Sequence, residues 1–203
     1  MIVLGWIWSP PKNPDSSKLD FDRLNSKDPK IKYGFTKELL TIGANNPELL
    51  YNHFDHWDKM MLSDKNIIKW TAIDIIGYLS SVDKENKTDS RISNLIGLLH
   101  SGHLITSNHA IFAFGLIAQN KPIHRKMIIK ELTAISKDKF DTEECKEIAK
   151  GKVLETFKSF FTDIKDDKSV IDFIQIATNS QRNSTKKKAN QLLRRLEKIN
   201  RKE

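Results

Sequence analysis

Small residues recur along this chain at almost constant spacing: Gly34, Ala72, Ala110, Ala149 and Ala189 lie 38, 38, 39 and 40 residues apart. Each sits inside an apolar-periodic stretch, and a period of this length marks stacked helical hairpins. One hairpin cannot bury its apolar face alone, so successive copies stack and present an extended surface. The spacing therefore predicts an all-α chain, an α-α superhelix of about four to five hairpins, whose business is binding. Around Ala72 the residues Ile68, Ile75, Ile76 and Leu79 share the anchor's side of a helical wheel. Cys145, Val153, Thr156 and Phe160 do so around Ala149, and Leu192, Leu193 and Leu196 around Ala189. The Gly34 unit fits least well, because its apolar face aligns better when shifted by one residue.

Local punctuation divides the chain into about nine helices. Asp28 and Pro29 open one that reaches Gly43, and Asn46-Pro47-Glu48 opens another that reaches Leu62, with Asn46 as its cap. Asp64 caps a helix ending near Val82, and the charged loop DKENKTDS follows. Further helices are predicted over Arg91 to His100, Leu104 to Ala118, Pro122 to Ser136, Thr142 to Thr162, Val170 to Thr178 and Thr185 to Ile199. Strand-like alternation bounded by turn pairs is absent. Residues 1–18, with the apolar octet MIVLGWIW and Pro10-Pro11, read as an irregular arm over the first helices, and 19–203 as one repeat domain. The octet is too short to span a bilayer and lacks the basic lead-in of a secretory signal, so no membrane insertion is expected.

Hydrophobic residues make up 38% of the chain and charged residues 30%, which suits helices with one face in water. A single cysteine, Cys145, excludes an intramolecular disulfide and a paired-cysteine metal site, and fits a reducing, cytoplasmic setting. The net charge of +8 is concentrated at one end: nine basic residues against two acidic ones follow Gln181, a balance of +7. The last helix turns an apolar stripe (Ala189, Leu192, Leu193, Leu196, Ile199) one way. A basic patch of Lys187, Lys188, Arg194, Arg195, Lys198 and Arg201 faces the other way.

An acidic or amide residue precedes a basic one at most helix starts: Asp28 with Ile31-Lys32, Asp64 with Ile68-Lys69, Asp141 with Cys145-Lys146, and Asn183 with Thr185-Lys186. With the small residue and apolar tail that follow, these units resemble the second helices of HEAT repeats. The Ala110 unit departs, with Ser107 at the basic position. The resemblance implies an acid–base ladder through Lys32, Lys69, Lys146 and Lys186, and second helices that line a concave surface.

If each anchor faces its partner helix, residues two before it and two or nine after it point away, about 160° to 200° around the axis. That row holds Trp70, Asp74, Ser81, Asn108, Phe112, Gln119, Glu147, Lys158, Lys187, Gln191 and Lys198. The resemblance puts it on the concave side, where Trp70 and Phe112 are large aromatic anchors in polar company. The resulting expectation is a non-enzymatic scaffold that binds a macromolecule, protein first. Nucleic acid held through phosphates by the basic helix is the alternative.

Catalytic residues, cofactors and a small-molecule substrate are not assigned. No Gly-rich phosphate loop or nucleophile elbow occurs, and no histidine precedes glutamate as in the HEAT-like deoxyhypusine hydroxylases. His53 and His56 beside Asp55 and Asp58, and His100, His103 and His109, read as surface and loop residues rather than metal ligands. Trp70-x-x-x-Asp74 echoes part of the site of HEAT-like alkylpurine DNA glycosylases, which adds base excision as a third reading against a half-buried structural tryptophan.

Overall fold

The computed structural model describes residues 19–201. The expected arm at 1–18 lies outside them, as do Lys202 and Glu203. Among the described residues all regular structure is helical: α1 (Pro29–Asn45), α2 (Glu48–Tyr51), α3 (Phe54–Met61), α4 (Asn66–Leu79), α5 (Ile92–Leu99), α6 (Leu104–Asn120), α7 (Arg125–Ala134), α8 (Glu143–Ser159), α9 (Lys168–Ala177) and α10 (Asn183–Asn200), with short 3-10 turns between some of them. None of these helices is long and apolar enough to cross a membrane.

One predicted cap forms as written: Asp28 accepts from the Lys30 amide at 2.8 Å with Pro29 in the first turn, and Thr142, where a helix was expected to start, also caps it by accepting from the Cys145 amide at 3.1 Å. Two do not. The helix expected to run from Glu48 to Leu62 is broken into α2 and α3, because the Leu50 carbonyl accepts from both the His53 amide and the Trp57 indole at 3.0 Å. Those bonds remove it from the regular ladder. Asn46 supplies its carbonyl, not its side chain, to Leu49, and the turn before α4 is closed by Ser63 Oγ accepting from Lys65, leaving Asp64 exposed.

The packing runs along a row: α1, α4, α6, α8 and α10 touch in succession, α3 lies against α4 and α5 against α6. α7 lies between α6 and α9, and α9 rests on α10. Ala72, Ala110, Ala149 and Ala189 are all fully buried. Gly34 is exposed with open space around it, so the first anchor is misplaced and Phe35, buried one residue on, carries that face. The tightest approaches along the row use other small residues. A Cβ on Gly77 would lie 2.8 Å from the Ala113 Cα, one on Gly115 2.6 Å from Thr156, and one on Gly151 2.6 Å from Thr185.

The expected acid–base ladder is not formed. Lys146 pairs with Glu143 at 3.1 Å, and Lys32, Lys69 and Lys186 meet no carboxylate among the described residues. Other side chains cross the row: the Trp70 indole donates to Thr106 at 3.0 Å, His109 meets Asp74 at 2.8 Å, and Thr185 donates to the Glu147 carbonyl at 2.8 Å.

The charged loop after α4 folds inward. The Asp83 side chain is fully buried and accepts from the Tyr51 hydroxyl at 2.6 Å and from the Lys87 and Thr88 amides at 2.8 Å. Its ammonium partner is Lys121 at 2.9 Å, which also bonds Asp89 at 2.6 Å and Asn86 at 3.0 Å. Asn86 turns the loop at φ 57°, a conformation asparagine tolerates. Burial works against the Asp83 charge, but its bonds from Tyr51, Lys121 and Thr88 prevail and hold the carboxyl at about 2. The Tyr51 hydroxyl is pushed up to about 12 by burial and by that same carboxylate.

Candidate binding groove

α4 and α6 have neighbours on three sides and are apolar almost all round, leaving each a narrow open strip. The strips of α1, α4, α6 and α8 lie side by side, and hollows of 480, 410, 420 and 380 Å³ open along them. These hollows share walls. Leu40 and Tyr78 belong to both the α1–α4 hollow and the central one, Ile105 links the central hollow to the one at the start of α4 and α6, and Phe112 and Lys152 link it to the α6–α8 hollow. Together they form one groove.

Of the residues expected on this surface, Trp70, Asp74, Asn108 and Phe112 line it, as does Gln119 in the α6–α8 hollow. Trp70 is half-buried and stacks on His109, with ring centroids 5.6 Å apart and planes 10° from parallel. Phe112 meets the edge of Tyr78 at 5.5 Å. Asp74 is only 7% exposed, and its carboxylate is taken by His109 Nδ1. Burial raises its carboxyl above the usual range against the opposing pull of His109. The acid of the base-excision reading is thus an engaged, buried group. Asn108 brings a buried Oδ1 that accepts no hydrogen bond among the described residues.

The α8 positions need correction. Glu147, 6% exposed, turns away from the groove and under the next helix, bonded by Lys150 and the Ser180 hydroxyl. Its burial disfavours the charge, yet those two partners hold its carboxyl below the usual range. Lys158 is exposed but does not line the hollows; Lys152, Glu155 and Ser159 do. Counting outward from Ala149 misled because Gly151, two residues on, is already in contact with α10, so the side opposite the anchor is an internal joint. Tyr78, Ile105 and Lys152 also line the groove, at positions outside those counted from the anchors. The exposure of Ile105, at 52%, is a signal that only the folded chain shows.

Lys187, Gln191 and Lys198 are exposed on α10, in line with the row, but do not line these hollows. The basic patch divides into two groups. Lys188 donates to the Gly151 carbonyl at 3.1 Å and meets Glu155 at 3.2 Å. Arg195 donates to the Lys158 carbonyl at 3.0 Å and lies over the Phe161 ring. These two are struts to α8. Lys187, Arg194, Lys198 and Arg201 are exposed and form no ion pair among the described residues.

Five of the six histidines make contacts within the fold, His124 among them with Asp89 at 3.0 Å, whereas His103 is exposed and lines the hollow at the start of α4 and α6. His100 meets Asp138 at 2.7 Å and Glu131 at 3.2 Å, and His53 and His56 pack on the Phe21 ring at 5.2 and 4.2 Å. No family model matches this chain, and no curated protein matches it.

Proposed function

We propose that this chain is a HEAT-like α-solenoid that works as a non-enzymatic scaffold, holding a protein partner along the groove formed by α1, α4, α6 and α8. The observation that carries the reading is the continuity of the hollows through shared residues, with Ile105 open to solvent and Tyr78 and Phe112 half-buried between the helices. Large apolar side chains part-buried in a recess are where binding energy concentrates. The contacts of successive row helices and the buried alanines at repeat spacing support the solenoid.

A second reading, nucleic acid on α10, is favoured by Lys186, Lys187, Arg194, Lys198 and Arg201, exposed there without an ion-pair partner among the described residues, which could neutralise phosphates. One experiment separates the two: capture from a host lysate by the native chain, by an Ile105→Ser, Phe112→Ala variant and by an Arg194→Glu, Lys198→Glu variant. The scaffold reading expects specific proteins to be lost with the first variant and kept with the second. Nuclease-sensitive material lost only with the second variant would replace it with the nucleic-acid reading.

A further inference from the structure

The groove's charges are unbalanced. Lys37 and Lys69 line it and meet no carboxylate among the described residues, and Lys152 adds a third ammonium. The carboxylates on the same surface are mostly answered from within the fold: Asp74 by His109, and Glu155 by Lys188 at 3.2 Å and Lys152 at 3.5 Å. Asp141, exposed at one end, is the exception. Between the ammonium groups Leu40, Tyr78, Ile105 and Phe112 form an apolar cluster beside Asn108 and the His109–Asp74 pair. An incoming carboxylate would therefore find cations at the rim, and the carboxylate at the centre, Asp74, is already bonded to His109. A basic segment would face at least two uncompensated lysines.

Resting on the groove reading above, we propose that the partner is an acidic polypeptide segment carrying large apolar side chains. Its leucine or phenylalanine side chains enter between Tyr78, Ile105 and Phe112, and its glutamates or aspartates meet Lys37, Lys69 and Lys152. Asn108 stands beside these apolar groups and offers its side-chain amide as a polar contact to the same segment.

The test uses two labelled peptides, one alternating glutamate with leucine and phenylalanine, the other with lysine in place of every glutamate, followed by fluorescence anisotropy. The acidic peptide binds, and the basic one binds at least about tenfold more weakly. Phe112→Ala weakens the acidic peptide about tenfold. Lys37→Glu with Lys69→Glu, two side chains without ion-pair partners to lose, weakens it by a similar factor and flattens its dependence on salt. Equal binding of both peptides, each weakened by Phe112→Ala, would overturn the charge preference and leave the groove standing. Binding indifferent to Phe112→Ala but abolished by Arg194→Glu, Lys198→Glu would move the site to α10 and overturn both. Absence of binding by either peptide also rejects both.

Discussion

The joint between α4 and α6 and the joint between α8 and α10 solve one problem with different chemistry. At the first, Gly77 sits against the backbone of Ala113, the helices share two short side-chain bonds, Trp70 to Thr106 and His109 to Asp74, and the far end is closed by the buried Asp83–Lys121 pair. At the second, long basic side chains reach across to main-chain carbonyls, Lys188 to Gly151 and Arg195 to Lys158, and Arg182 meets Glu144 at 2.7 Å. An interior helix has neighbours on both sides and cannot spare a polar face, so it gains contact by close approach. A helix at the end of the row keeps one side in water and can afford flexible ionic struts. The difference implies that the inner joint is rigid and costly to disturb, while the outer one is tolerant.

The sharpest way to break that contrast is to remove the closing ammonium. Lys121→Met leaves Asp83 buried beside an apolar side chain, and the loss should be about 3 kcal/mol, the low end for stranding a buried charge, because Tyr51 and the Thr88 amide remain. Lys188→Met at the outer joint should cost only about 0.5–1 kcal/mol, since that ammonium is part-exposed. Urea unfolding of both variants checks the ratio; equal losses would erase the distinction. The pair also sets a pH dependence. A carboxyl depressed in the folded state contributes stability that is complete above its ordinary value of 3.8 and is lost as pH falls towards about 2. Acid unfolding of Lys121→Met should therefore begin at higher pH than that of the native chain.

This buried pair also shows where the sequence stops being legible. DKENKTDS reads as a solvated loop, because nothing local says that Lys121, just past the end of α6 and more than thirty residues away, will neutralise its first aspartate. The helices themselves, most of their limits and the four buried alanines were readable, since capping and periodicity are local properties. The groove was readable in part. Trp70, Asn108 and Phe112 fall where counting from an anchor puts them, but Glu147 and Lys158 do not, because α8 is gripped on sides that its own periodicity cannot distinguish. On α10 the apolar stripe is plain. That Lys188 and Arg195 are struts while Lys187 and Arg194 are free depends on α8, and no wheel drawn for one helix contains it.

Close approach supplies the next test. Gly77→Ala would place a methyl 2.8 Å from the Ala113 Cα and 3.1 Å from its Cβ, atoms that cannot move without shifting α6. Overpacking of this kind costs about 1–3 kcal/mol. Gly151→Ala meets the Thr185 hydroxyl at 2.6 Å, a side-chain atom rather than backbone; turning it away breaks only its bond to the Glu147 carbonyl, so the cost should be smaller, about 1 kcal/mol. Comparison of the two melting curves sharpens the claim that the inner joint is the rigid one. A larger loss at Gly151 would reverse it.

The smallest expected effect carries the opposite sign. Gly34 stands at the head of the regular spacing yet lies within α1, exposed, with no heavy atom within 4 Å of where a Cβ would be. If the spacing reflected a packing need at every anchor, Gly34→Ala would do harm like that at Gly77. Since the position touches nothing, alanine should instead remove unfolded-state freedom from a helix interior and stabilise the chain by up to about 0.5–1 kcal/mol. A rise in the urea midpoint with unchanged slope would show that the first repeat is held by Phe35 and Leu39, both buried on the other side of the helix, rather than by its small residue. A fall would mean that α1 presses its open face against something after all, and that the terminal unit is built like the interior ones.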